Sequence, residues 1–302
     1  MKAFITGATG FIGAHTARAC LDAGWDVVAM VRPGSDRSRI AAIESRLRFV
    51  EGDLSDFDGA LASLSDFQPD VCIHHAWYAE PGKYPHAIEN LESLNGTLRL
   101  VTKLPDIGCQ RFVGIGTCFE YDFDRGWMRE DTPAKPASLY AATKNACCVA
   151  LPKVAEKVGV TPTWIRLFYQ YGPFEDHRRL VASVIGSLMR GDVVDTTEGG
   201  QVRDFLHVED VGSAIHAITE AHLEGIVNVG SGVPVTVRQI VESIGDQLGK
   251  LELVNFGARP YNPTDPPFVV ANNGRLRTET AWKQRYPLDE GLANSIAWWK
   301  SR

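Results

Sequence analysis

The sequence predicts an α/β protein: a doubly wound parallel Rossmann sheet carrying a smaller, discontinuous substrate-binding domain. Three observations lead there. An apolar run, Lys2 to Thr6, breaks at Gly7, Gly10 and Gly13 before an amphipathic stretch over residues 11–21. Strand-length apolar runs then alternate with helical stretches, the pattern of a parallel sheet. Polar and aromatic clusters fall at the ends of those runs, where open α/β sheets bind their ligands.

The glycine junction comes first. The helix that starts at Phe11 closes at Gly24, a C-cap residue. Of its three glycines, one makes the tight turn, one lets a ligand approach the backbone, and one lets helix and strand lie close. The helix N-terminus then offers free N–H groups and a positive dipole end to a pyrophosphate. Gly7, Thr9, Gly10, Phe11, Ile12 and Gly13 are therefore the expected cofactor contacts. Glycines used only for packing would look the same in isolation; their place between a first strand and a first helix favours the nucleotide.

Further strands are expected at residues 27–31, 47–50, 71–75 and 112–115, with residues 87–104 the clearest helix between them. Their ends carry Arg32, Asp53 with Leu54, Ala76 with Trp77, and Thr117. Asp53, Leu54 and Ala76 join the cofactor contacts. Trp77, with Tyr78 and Tyr84 behind it, either stacks on the apolar face of a sugar or packs beneath a lid.

The end of the second strand selects the cofactor. An acidic residue about twenty positions past the glycines commonly holds the ribose hydroxyls of NAD. Here Arg32 occupies that end, with Arg37 and Arg39 close behind. A guanidinium binds a 2′-phosphate bidentately where a carboxylate would repel it. NADP(H) is thus favoured over NAD(H); the alternative is a solvated basic loop.

Tyr140 and Lys144 carry the chemistry. They are four apart in a helix expected from Ser138 through Ala150, so they share a face. A nearby ammonium favours the phenolate and draws a tyrosine below its usual pKa of about 10, as acid/base work near neutrality requires. Thr117, at the end of the fifth strand, is placed to hydrogen-bond the same substrate oxygen.

Composition narrows the partners. The 302 residues are 44% hydrophobic, 23% charged, and carry a net charge of -6. That balance argues against nucleic acid or a membrane surface as partner, so an anionic ligand must be held by local arginines. Six cysteines without CxxC or zinc-like spacing read as reduced thiols. His74 and His75 lack partners at ligand spacing, so no metal is expected. A strand beginning at residue 2 leaves no room for a leader peptide, and the expected compartment is cytoplasmic.

At these residues the chain resembles the extended short-chain dehydrogenase/reductase family of nucleotide-sugar epimerases, dehydratases and ketoreductases. Gly7-Ala-Thr-Gly10-Phe-Ile-Gly13 is similar to its cofactor loop, and Thr117 with Tyr140-x-x-x-Lys144 to its catalytic trio. Arg166-Leu-Phe168 with Tyr171-Gly172-Pro173 resembles the passage into its substrate domain. Arg203-Asp-Phe-Leu-His207 and Arg259-Pro-Tyr-Asn262 resemble later motifs of members that act on sugar nucleotides. The resemblance implies that Arg203 and Arg259 clamp a substrate diphosphate, that Lys144 also holds the nicotinamide ribose, and that the protein is a homodimer. It implies a nucleotide domain over 1–170 and 203–229, and a sugar-nucleotide domain over 171–202 and 230–302.

Departures narrow the reaction. Dehydratase members place Asp and Glu directly after the threonine; this chain has Cys118 and Phe119, with Glu120 one place too far. Cys118 and His177 are out of register with the acid/base pair of epimerase-reductases, and Tyr169 replaces a common Asn. The favoured reading is an NADP(H)-dependent ketoreductase acting on a nucleoside-diphosphate 4-keto sugar. The alternative is a nucleotide-sugar 4-epimerase. A reductase of small carbonyl compounds is disfavoured by the Arg203 motif, and a non-catalytic dinucleotide sensor by the intact trio.

Overall fold

The computed structural model describes residues 1–302. β1 (Lys2–Thr6) turns through the glycines into α1 (Phe11–Asp22), followed by β2 (Asp26–Val31), β3 (Arg48–Glu51) and β4 (Val71–His74). Then come α2 (Glu89–Lys103), β5 (Arg111–Thr117), α3 (Leu139–Val158), β6 (Thr161–Leu167), α4 (Leu180–Arg190), α5 (Val208–Glu220), β7 (Gly225–Val229), α6 (Val237–Leu248) and α7 (Leu288–Lys300). The seven strands form one parallel sheet in the order β7-β6-β5-β4-β1-β2-β3. β1 pairs with both β2 and β4, so the strand order reverses there, the point at which open sheets of this kind bind their ligands.

Both faces of the sheet are covered. One core joins the sheet to α1 and α5 through Ala14, Ala17, Val211 and Ile215. Gly212 permits that packing, since a Cβ there would lie 2.6 Å from the His15 main chain. The opposite core joins the sheet to α2 and α3 through Leu100, Val101, Cys147 and Leu151. All six cysteines are buried and unbridged.

β6 has no counterpart in the sequence-based strands. Pro162 near its start and Arg166 near its end interrupt the apolar run by which a buried strand is recognised. α3 runs on to Val158, through Pro152, until Gly159 caps it in the left-handed conformation.

A third core gathers Ile185, Leu188, Ile240, Ile244 and Leu292 of α4, α6 and α7 with Tyr171, which precedes α4. Around it, Val202–Arg203 lies between Val235–Thr236 and Phe268–Ala271, and the last of these pairs with Trp127–Met128. Beyond residue 230 the tail packs into more than one core. Leu276 and Trp282 bury themselves with α1 and α5, and the Trp282 indole donates to the Asp210 carbonyl and the Ser213 hydroxyl. No helix is long and apolar enough to cross a membrane.

Candidate active site

The glycine turn is built as the nucleotide reading requires. Gly7 has φ +70°, and a Cβ on it would meet the Ala76 nitrogen at 2.7 Å. A Cβ on Gly13 would meet the Gly7 carbonyl oxygen at 2.2 Å. Gly10 is the N-cap of α1 and donates to the Gly7 carbonyl at 3.0 Å. No side-chain oxygen caps this helix, so its first amides stay available to an anion. Thr9 and Phe11 border the turn half-buried, and Ile12 packs inward on the α1 core. Ala76 donates to the Thr6 hydroxyl at 3.3 Å, fixing the tip of β4 against the loop.

Arg32 stands exposed at the end of β2. Its neighbours are occupied: Arg37 pairs with Glu44 and lies over Phe49, and Arg39 donates to the Phe174 carbonyl. Asp53 accepts from Ser55 and the Asp56 amide within its own turn; those bonds, then the nearby Arg32 charge, hold its carboxyl below the usual range. The Leu54 main chain lies against Gly96 of α2, where any Cβ would be 2.5 Å from the Leu54 oxygen.

Thr117 ends β5, buried, and its hydroxyl accepts from the Phe119 amide at 3.3 Å. The Tyr140 phenol lies near that hydroxyl, whose proximity pulls its pKa down slightly. Burial, followed by the Tyr84, Glu120 and Cys118 groups, outweighs that pull and holds the phenol above its ordinary value of 10.0. Tyr84 meets Tyr140 edge to face at 4.8 Å.

Lys144 requires a correction. Its Nζ donates to the Ile115 carbonyl at 2.5 Å and lies 3.7 Å from the centre of the Trp77 ring. Burial lowers its pKa to about 7, so the amine is close to half neutral at physiological pH. The sequence reading expected a charged Lys144 to lower the Tyr140 pKa; in this structure burial is the largest influence on both groups, raising the phenol and lowering the amine. Trp77 is corrected as well. Its indole donates to Asn90 Oδ1 at 2.9 Å and packs on the α2/α3 core, covering Lys144 instead of facing a sugar. Packing, the other reading of this residue, is what the structure contains.

Arg203 is buried and already paired. Its guanidinium contacts Asp265 at 2.6 Å and donates to the Pro266 and Val202 carbonyls, while its carbon lies 5.5 Å from the Tyr169 ring. Arg259 is exposed on the same loop as Asp265, anchored by its amide to the Thr196 carbonyl. Cys118 is buried beside Tyr121 and Phe168, with its thiol pKa pushed up by burial, and His177 is exposed. His74 bonds Thr6 and Thr97, which settles it as packing.

Sequence reasoning noted Tyr84 beside Trp77 but gave Glu120 no role at the site. Glu120 is fully buried between Arg166, Trp164 and the Thr117 amide. The signal available was a carboxylate three residues past Thr117, facing an alternating Trp-Ile-Arg run.

The sequence model described as the NAD dependent epimerase/dehydratase family matches residues 3–230. The chain belongs to that family. It is 25% identical to a UDP-glucose 4-epimerase of Lactobacillus helveticus, covering 100% of this chain and 98% of the relative. It is 27% identical to a dTDP-glucose 4,6-dehydratase of Streptomyces griseus, with coverages of 98% and 93%. The fold superposes on the UDP-glucose 4-epimerase of Thermus thermophilus, a complex with NAD, with a TM-score of 0.85, 25% identity and 99% of each chain covered. As a member of this family the protein is an enzyme of the extended short-chain dehydrogenase/reductase type.

Proposed function

We propose that the protein is a nucleoside-diphosphate-sugar 4-epimerase that retains its dinucleotide, with a UDP-hexose as substrate. One observation carries this choice within the family. No free carboxylate stands beside Thr117 and the nearby Tyr140 phenol at the tip of β5, since Cys118 is buried in a core and Glu120 is tied to Arg166. Relatives named as 4-epimerases and as dehydratases both span the chain, and elimination of water lacks its acid and base here. The ketoreductase reading loses first place because the relatives carry 4-epimerase names and the epimerase structure is a complex with NAD.

The glycine turn fits a dinucleotide: Gly7 and Gly13 let β1, the β4 tip and α1 pack closely, and the first amides of α1 carry no side-chain cap. The nicotinamide supplies a hydride acceptor for the sugar carbon and later the hydride donor. Tyr140 takes the proton from the sugar C4 oxygen as that carbon is oxidised and gives it back after the opposite face is presented. Thr117 hydrogen-bonds the same oxygen. Lys144, near neutrality, exchanges its proton readily and regains charge beside an acceptor. Arg203 with Arg259 takes the diphosphate, Arg203 by exchanging Asp265 for it. The homodimer reading is supported by Ile88, Leu91 and Val149, exposed apolar residues on or beside α2 and α3.

One observation favours NADPH-dependent reduction as the second reading: Arg32 is exposed and makes no salt bridge, with Asp53 its nearby carboxylate, so it can turn to a 2′-phosphate. UDP-glucose given to the purified protein without added cofactor separates the two. An epimerase yields UDP-galactose with no net change in absorbance of reduced nicotinamide. A reductase leaves UDP-glucose untouched and consumes NADPH only with a keto sugar.

A further inference from the structure

Beneath the tip of β5 lies a buried charged group that the reaction above does not use. Glu120 accepts from the Thr117 amide at 2.8 Å, from the Trp164 indole at 3.1 and 3.2 Å, and from Arg166 Nε at 2.9 Å. Arg166 is itself buried, with its guanidinium 4.2 Å from the Tyr121 ring. The Tyr121 hydroxyl donates to Asn228 at 2.7 Å, and Asn228 donates to the Met128 and Asn272 carbonyls. A polar chain thus runs from the catalytic strand tip to β7 and the outer strands.

β5 is shaped to admit this cluster. A Cβ on Gly116 would lie 2.2 Å from the Trp164 indole nitrogen and 2.5 Å from Glu120 Oε1; one on Gly114 would lie 2.6 Å from the Trp164 ring. Two glycines on one face of a central strand weaken it, and a buried ion pair is often no more stabilising than apolar packing of the same volume. Stability alone therefore gives this arrangement little reason to exist.

We propose that Glu120, held by Arg166 and Trp164, is a positioning residue that fixes the Thr117 end of β5 against the Tyr140 phenol. The inference rests on the catalytic reading of those two residues. Through the Thr117 amide the carboxylate sets the strand tip, and with it the direction of the hydroxyl. Its charge also reaches the phenol, which faces Tyr84, Cys118 and Thr117 as well, with Lys144 on its own helix; Glu120 raises the pKa of both Tyr140 and Lys144.

Glu120→Gln keeps an acceptor for the Thr117 amide and removes the charge. Because a lone buried guanidinium can unfold a protein, Glu120→Gln/Arg166→Met is the second variant. With UDP-glucose as probe, the folded variants should lose on the order of tenfold or more in kcat with KM unchanged. The acidic limb of the kcat profile, set by ionisation of Tyr140, should move to lower pH. The ring-carbon NMR signal of Tyr140, assigned by its loss in Tyr140→Phe, reads the same shift without turnover: ionisation begins at lower pH than in the wild type. A purely structural role moves neither the limb nor that signal. Folded variants with wild-type kcat and an unmoved Tyr140 titration overturn the inference. If Tyr140→Phe also keeps wild-type turnover, the catalytic reading falls and this inference with it; if only the Glu120 variants do, the inference alone falls.

Discussion

At the expected nucleotide edge of the sheet Arg32 stands exposed without an ion pair, near the Asp53 carboxyl; at the expected sugar edge Arg203 is buried and bound to Asp265. Both arginines sit where the sequence expects an anion to be held, yet they meet it differently. Arg32 can add a ligand charge without giving anything up. Arg203 can do so only by exchange, and a ligand that cannot replace Asp265 leaves a desolvated cation behind. Discrimination is therefore expected to be stronger at the sugar edge.

The nucleotide edge breaks most readily at its backbone. Gly13→Ala places a methyl group 2.2 Å from the Gly7 carbonyl oxygen, which cannot yield as a side chain would. Overpacking of this kind costs about 1–3 kcal/mol, and NAD binding measured by calorimetry should weaken by about ten- to a hundredfold. Gly59→Ala, which meets nothing within 4 Å, should leave it unchanged.

A different buried group tests the sugar side by stability. Glu175 follows Phe174, a residue with φ +70°, and burial pushes its carboxyl from 4.5 up to about 8 against the pull of Arg179. The unfolded chain releases this proton near pH 4.5 and the folded chain near 8, so folding loses stability as pH rises between the two. Glu175→Gln should match the wild type below pH 4.5. Above it, the variant should melt progressively higher than the wild type, with the gap constant beyond about pH 8. A gap that closes as pH rises would contradict the burial of an unpaired carboxyl.

Exchange at Arg203 sharpens the contrast between the edges. Asp265→Asn removes the internal competitor and should lower KM for UDP-glucose a few-fold, an effect of ~1 kcal/mol, while Arg203→Met should raise it. If both raise KM equally, Asp265 supports the site instead of guarding it. The smallest effect belongs to Arg32→Asp, which should weaken NADP binding by several-fold and leave NAD nearly unchanged, because an exposed guanidinium contributes little beyond the contact it makes.

How much of this was legible in the sequence follows the same division. The glycine turn and the first strands are local, so Lys2–Thr6 and Gly7 to Gly13 could be read directly. β6 was hidden by Pro162 and Arg166. Tyr140 and Lys144 share a face by spacing alone, but their proton affinities are set by Tyr84, Trp77 and Glu120, which only the fold brings close. Arg203 was recognisable by its motif, whereas Asp265, its partner, lies 62 residues further on. Burial and long-range pairing decide these cases, and neither leaves a periodic mark.

The proposed acid/base role of Tyr140 is tested most directly by Tyr140→Phe, with NAD affinity and conversion of UDP-glucose measured on one preparation. Loss of a positioned acid/base should cost about a hundred- to ten-thousandfold in kcat, while the dissociation constant of NAD stays at its wild-type value. Conversion at the wild-type rate in that variant would contradict the account.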